Sequence, residues 1–173
     1  MTAFTDLLDT FASHAQANDG ARFAALFTAD GVYDDYFFGS HAGRMAIAAM
    51  LNRFHEGGED YCWEFHEPLS DGGIGYARYR FSYRSKVAES AGKPIAFEGI
   101  CRLLFKDGLI EHYAEAFDRG VAFVQLGFPA PKVARLLEKY AAAQNASAGF
   151  LPHIERFAQG GRKTSRRAAA HKR

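Results

Sequence analysis

The 173-residue chain is 48% hydrophobic, with 16 Phe and 8 Tyr, a composition that excludes a disordered chain and fits one globular domain with a strongly aromatic core. No apolar run approaches the roughly 18 residues of a membrane span, and the amphipathic start MTAFTDLLDTFASHAQ lacks the basic-then-apolar order of a secretory signal. The net charge of +1 hides a segregation: the last twelve residues carry six Lys or Arg and no acid, leaving 15 basic residues against 20 acidic elsewhere, which argues against a nucleic-acid-binding body.

Phe4, Leu7, Leu8, Phe11, Ala12 and Ala15 recur at helical spacing and define a first amphipathic helix. Asn18 or Asp19 caps a short second helix with Phe23, Leu26 and Phe27 inward, ended by Asp30-Gly31. Residues 32–38 then read as an aromatic strand, and residues 43–55 as a third helix stopped by Gly57-Gly58. From there the period changes to two. Four strands are expected at 61–69, 74–87, 95–106 and 109–118, joined by turns too short for parallel crossovers, so they form an antiparallel meander. A short helix to Leu126, a helix opened by Pro131 and a last helix over 150–157 complete the chain. The expected fold is α+β: a curved antiparallel sheet wrapped around the N-terminal helices to enclose an apolar pocket. The divisions are a main α+β domain over 1–128, a helical extension over 129–159 and a basic disordered tail over 160–173.

Alternation along the strands assigns faces. Ala77, Tyr79, Phe81 and Tyr83 point inward against Arg78, Arg80, Ser82 and Arg84; Phe97, Gly99, Cys101, Leu103 and Phe105 share the inner face of the next strand. The opposite face of that strand, with Glu98, Ile100, Arg102 and Leu104, is mixed enough to suit a homodimer contact through the outside of the sheet. Cys62 and Cys101 both fall in apolar strand patterns and read as two reduced core thiols of a cytoplasmic protein.

Two acids stand out. On the last strand Glu111, Tyr113, Glu115 and Phe117 share a face, so Glu115 lies between aromatics if that face is inward, and burial would then raise its pKa towards acid or base work. Otherwise it pairs with an Arg at the sheet edge. In VYDDYFF, alternation sends Asp35 inward with Tyr33 and Phe37; the alternative is a bulge or turn with Asp34 and Asp35 both solvated. Trp63, Tyr33, Tyr79, Tyr83 and Tyr113 could line a site for a planar hydrophobic molecule, or simply pack the core. The seven histidines lack metal-ligand spacing and no cysteine clusters with them, so neither metal nor other cofactor is expected; His41 reads as a loop residue beside the first strand.

The segments AND followed by FAALFTADGVYDD, then GSHAGRMAI, then KDGLIEHYAEAFDRGVAFVQLG, in that order, resemble the nuclear transport factor 2-like superfamily, in particular its SnoaL-like and ketosteroid-isomerase-like members, over residues 4 to 128. The resemblance implies a cone with a deep pocket at one end. It places the isomerase base on Asp35, but the two oxyanion donors on Phe11 and Cys101, which speaks against steroid isomerisation. It matches the acid of limonene-epoxide-hydrolase-like members to Glu115 in YAEAFD, but sets Tyr79 and Phe81 where their Arg and second Asp belong. Polyketide cyclases and dehydratases of the superfamily work with one or two acids in an aromatic pocket, a pattern that Asp35 and Glu115 satisfy. The expected function is therefore binding of a small hydrophobic molecule with lyase, cyclase or isomerase chemistry: Asp35 as base, Glu115 as partner acid, the tyrosines as hydroxyl donors and Trp63 as a wall. The alternative is a non-catalytic binding or dimerisation module.

Overall fold

The computed structural model describes residues 3–157, so the basic tail expected over 160–173 lies outside the described residues. Contacts divide the chain after Phe128. In the first unit, helix α1 (Ala3–Gln16) buries Leu8, Phe11, Ala12 and Ala15, the spacing expected of one apolar stripe. The short α2 (Gly20–Ala25) is capped by Asp19, whose carboxylate accepts from the Arg22 amide at 3.0 Å. Strand β1 (Phe27–Asp35), strand β2 (Gly39–Ala42) and helix α3 (Arg44–Gly57) follow. The meander is β3 (Gly58–Ser70), β4 (Ile74–Ser85), β5 (Pro94–Lys106) and β6 (Leu109–Phe117), before helix α4 (Arg119–Gln125).

The six strands form one sheet in the order β2-β1-β6-β5-β4-β3, antiparallel except where β1 lies parallel to β6. That exception follows from connectivity: β1 is separated from β6 by α3 and four further strands, ample chain for a crossover. The sheet packs on α1, and Phe11 sits at the centre of the packing, with ring centroids 4.6 Å from Phe23, 5.3 Å from Trp63 and 5.1 Å from Tyr113. The buried core is this aromatic cluster closed by Ile47, Met50 and Leu51 of α3.

Four expectations need correction. The first strand begins at Phe27 rather than Val32, because Leu26 already ends α2, and Phe27 is a buried strand residue. His41 belongs to a strand, pairing with Tyr33, rather than to a loop. On β6 Glu111 is exposed and Ile110 fully buried: the β5–β6 register slips between Leu104 and Phe105, so alternation runs inward at Ile110 and resumes at Tyr113. Cys101 is a core thiol as expected, but Cys62 is exposed, since Trp63 beside it takes the inner face.

The second unit begins with α5 (Ala130–Ala146), which carries Pro131 in its first turn as expected; residues 151–157 are helical again.

Candidate functional site

The pairing of β1 with β6 builds the site. Tyr33 lies opposite Tyr113 and Asp34 opposite Ala114, and just beyond this register Asp35 comes near enough to Glu115 for the charge of one to act on the other. Cys101 faces Glu115 across β5, and Ala77 faces Cys101 across β4. One row further along lie Phe117, Gly99, Tyr79 and Phe65, and beyond them Phe97, Phe81 and Trp63. Two acids separated by eighty positions in sequence thus become neighbours at the head of an aromatic arc. That arc runs without a break: Phe37–Phe117 4.8 Å, Phe117–Phe97 4.4 Å, Phe97–Phe81 5.3 Å and Phe81–Trp63 5.0 Å between centroids. Its phenylalanines are half-buried, whereas the tyrosines behind Glu115 are sealed.

Asp35 ends β1 and is 6% exposed. Its Oδ1 accepts from the amides of Phe37 at 2.7 Å and Phe38 at 2.6 Å, a turn that an aspartate at a strand end can hold by itself. Burial raises its pKa to about 6; the two amides and the Arg119 guanidinium oppose the rise without cancelling it. Glu115 is pushed further, to about 8, first by burial and then by the charge of Asp35 beside it. The Tyr113 hydroxyl donates to its Oε2 at 3.0 Å, and the Tyr36 amide also favours the ionised form. Near neutral pH the pair therefore holds one proton, with Asp35 the more readily ionised member and Glu115 the more readily protonated. Two adjacent carboxyls pushed apart in this way provide an acid and a base within one site.

The other expected site residues divide into three groups. Tyr33 and Tyr113 stack at 4.5 Å and are at most 1% exposed, so they support Glu115 from behind and present no surface to a ligand in this state. Tyr79 is equally sealed; its hydroxyl approaches the Glu115 carboxyl closely enough to restrain that group's pKa, yet forms no hydrogen bond of good geometry. Trp63 packs edge-on against Phe11, with its indole N–H buried and unpartnered. Tyr83 stands away from the acids, stacked at 5.4 Å on Tyr61, and only burial perturbs it.

Sequence reasoning missed several contributors. Arg119 opens α4 with its guanidinium carbon 3.4 Å from the Tyr36 ring centroid, in reach of Asp35's field. The amides of Tyr36, Phe37 and Phe38 serve both carboxyls, and no side-chain pattern could announce them. Cys101, already placed by the sequence at a donor position, has its thiol pushed up to about 12 by burial and so brings no charge to Glu115. Among the described residues no cluster of three His, Cys, Asp or Glu could hold a metal ion.

The sequence matches the SnoaL-like domain over residues 5–113. The chain belongs to the SnoaL-like family. The matched span includes Asp35 but stops two residues short of Glu115. No curated protein matches the chain. Among solved structures it is similar to a ketosteroid isomerase-like-fold protein from Catenulispora acidiphila, solved in complex with trimethylamine, at 20% identity and TM-score 0.66, covering 73% of this chain and 95% of that one. It is likewise similar to a Shewanella denitrificans protein assigned to the SnoaL-like polyketide cyclases (19% identity, TM-score 0.64, 73% and 98% covered). A limonene-epoxide-hydrolase-like enzyme of Mycobacterium tuberculosis aligns at 19% identity and TM-score 0.58, over 70% of this chain and 86% of that one. At these identities the likeness is one of fold.

Proposed function

We propose that this protein binds a small, largely apolar molecule against the aromatic arc and moves a proton on it, in an isomerase, cyclase or lyase reaction of the kind the polyketide cyclases among its structural neighbours represent. The observation that supports this reading is the pair itself: buried Asp35 and half-buried Glu115 near each other among aromatics, with unequal proton affinities. Asp35 takes a proton from a carbon next to a carbonyl; protonated Glu115 donates a hydrogen bond to that carbonyl as it becomes an enolate; Asp35 returns the proton to the same or a neighbouring carbon. No redox partner is needed. Glu115 supplies one of the strong donors that the isomerase-type positions, Phe11 and Cys101, cannot. Epoxide opening of the limonene type remains disfavoured, since Tyr79 and Phe81 occupy the places of its Arg and second acid.

The reading extends to the surroundings. We take the working form to be cytoplasmic, consistent with two free thiols, and a homodimer through the outer sheet face, where Ile100 is 55% exposed and Tyr76 45%. No helix among the described residues is long and apolar enough to cross a membrane. The alternative of a non-catalytic binding module gains support from the sealing of Tyr33, Tyr79 and Tyr113, which keeps three hydroxyls away from a ligand in this state.

The test is deuterium uptake. Enolisable polycyclic ketones are first ranked by the rise in unfolding temperature they cause. Binders are then incubated in heavy water with the wild-type and Asp35→Asn proteins, and exchange at the carbonyl-adjacent carbon is followed by NMR. Exchange dependent on Asp35 is expected; ligand binding without exchange would leave the binding module as the correct reading.

A further inference from the structure

A glycine in the middle of a strand gives up packing and order, and usually marks a place where something must come close to the backbone. Gly99 is such a residue, at the centre of β5 and paired with Tyr79 on one side and Phe117 on the other. A Cβ there would lie 2.5 Å from the Tyr79 Oη, 2.6 Å from its Cζ and 2.7 Å from the Ala116 carbonyl oxygen. The phenol therefore lies flat across the bare backbone of β5.

The reason is a matter of distance. Tyr79 belongs to β4 and Glu115 to β6, two strands and about 10 Å apart. A side chain standing upright from the sheet, as strand side chains ordinarily do, could not reach from one to the other. Laid over Gly99, the Tyr79 hydroxyl arrives beside the Glu115 carboxyl with its hydrogen-bonding capacity unspent and sealed from water. A buried hydroxyl without a good partner is costly, and is kept where a ligand or a change of protonation will use it.

We propose that Gly99 is a positioning residue of the site, its missing side chain being the channel through which Tyr79 reaches over β5 to serve Glu115. This rests on the acid–base reading only in assigning Glu115 its purpose; the geometric claim stands on its own. The groups that face Glu115 are Asp35 and Tyr33 from β1, the Tyr36 amide from the following turn, Tyr79 from β4, Cys101 from β5 and Tyr113 from its own strand. Of these, Tyr79 is the one whose side chain lies nearest a Cβ at residue 99.

The experiment needs no substrate, so its failure is distinct from failure of the proposed chemistry. Glu115 is titrated by carbon NMR of its labelled carboxyl, assigned with Glu115→Gln, in wild type, Tyr79→Phe, Gly99→Ala and the double variant. The expected result is a Glu115 midpoint raised in each single variant by roughly 0.5–1 pH unit, as the carboxylate loses the nearby phenol dipole, with no further rise in the double variant. An unmoved midpoint in Gly99→Ala, or additive shifts, would overturn the proposal. Unfolding temperatures give the second readout. Gly99→Ala should lower the midpoint in the wild-type background and lower it much less in a Tyr79→Leu background, where the long phenol is gone. An equal loss in both backgrounds, or failure of the pair to fold where Tyr79→Leu folds, would make the Ala116 carbonyl the crowded group and sink the idea.

Discussion

Asp34 and Asp35 are neighbours in the chain and opposites in circumstance. Asp34 turns to the outer face of the sheet, where its Oδ2 lies 2.5 Å from the His112 Nε2 and its side chain is 42% exposed. Asp35, one residue on, turns inward, loses its water and meets no partner of opposite charge closer than the field of Arg119. The same contrast holds across the ladder, where His112 faces out and Glu115 faces in. What separates a surface hydrogen-bonded pair from a candidate acid–base pair here is the two-residue period of a strand, and residue type has no part in it. Desolvation dominates on the inside; solvent and a histidine settle matters on the outside.

The sharpest way to break the comparison is to neutralise each aspartate in turn. Asp35→Asn should lower proton exchange on a bound ketone by roughly 10²–10⁴-fold, while Asn still accepts from the Phe37 and Phe38 amides and the fold persists. Asp34→Asn should leave the rate within about twofold, as expected for a surface change away from the reacting groups. Equal losses in the two variants would mean that the faces are not functionally distinct.

The next largest effect is on stability. Glu115 is raised in the native state, so between its ordinary value of 4.5 and about 8 the folded protein holds a proton that the unfolded chain has released. Its contribution is thus complete below the unfolded value and lost as pH rises through the folded one, levelling off above. Asp35, raised to about 6, acts in the same direction over a lower window. Urea unfolding at about pH 5 and about pH 9 should show wild type losing roughly 1–3 kcal/mol more than Glu115→Gln across that range. Identical slopes would show that Glu115 is not a buried neutral acid.

The antiparallel meander was legible because long strands of alternating aromatics admit few alternatives; the short β2 and the place of β1 beside β6 were not, and alternation left an outward alternative open for each acid. The meander edges differ from expectation by a few residues at most. The start of β1 was not legible: Phe27 fits a helix face and a strand face equally, and only tertiary pairing decides. Nor could the sequence reveal that β6 slips at Ile110, since a bulge leaves no mark beyond a broken alternation at Glu111. In the candidate site, Asp35 and Glu115 followed from periodicity, but their adjacency required the β1–β6 pairing. Backbone donors of the turn after Asp35 have no sequence signature at all. Gly99 did have one, as a lone glycine between Glu98 and Ile100 in a strand facing Tyr79, and the signal was available to read.

A smaller effect separates the two acids from within. Arg119 opposes the rise in Asp35 but is absent from the influences on Glu115. Arg119→Gln should therefore move the Asp35 midpoint up by less than about one pH unit and bring the two carboxyl titrations closer together. A downward shift of Asp35 would contradict the assignment. The expected sign follows from losing a cation beside a carboxylate, whatever becomes of the Tyr36 ring that the guanidinium covers.

The smallest effect belongs to the outer pair. Coupling between Asp34→Asn and His112→Gln, measured as a double-mutant cycle in unfolding free energy, should stay below about 1 kcal/mol and shrink in high salt, because both side chains keep access to water. The value also bears on assembly. If a second copy covers this face of the sheet, the pair is withdrawn from solvent, and truncating one partner leaves a buried charge that costs about 3–5 kcal/mol. A coupling that is small in dilute protein and grows with concentration would therefore locate the dimer contact beside Asp34. A small, concentration-independent value, with Ile100→Glu leaving the molar mass in light scattering unchanged, would remove the outer face from consideration as an interface.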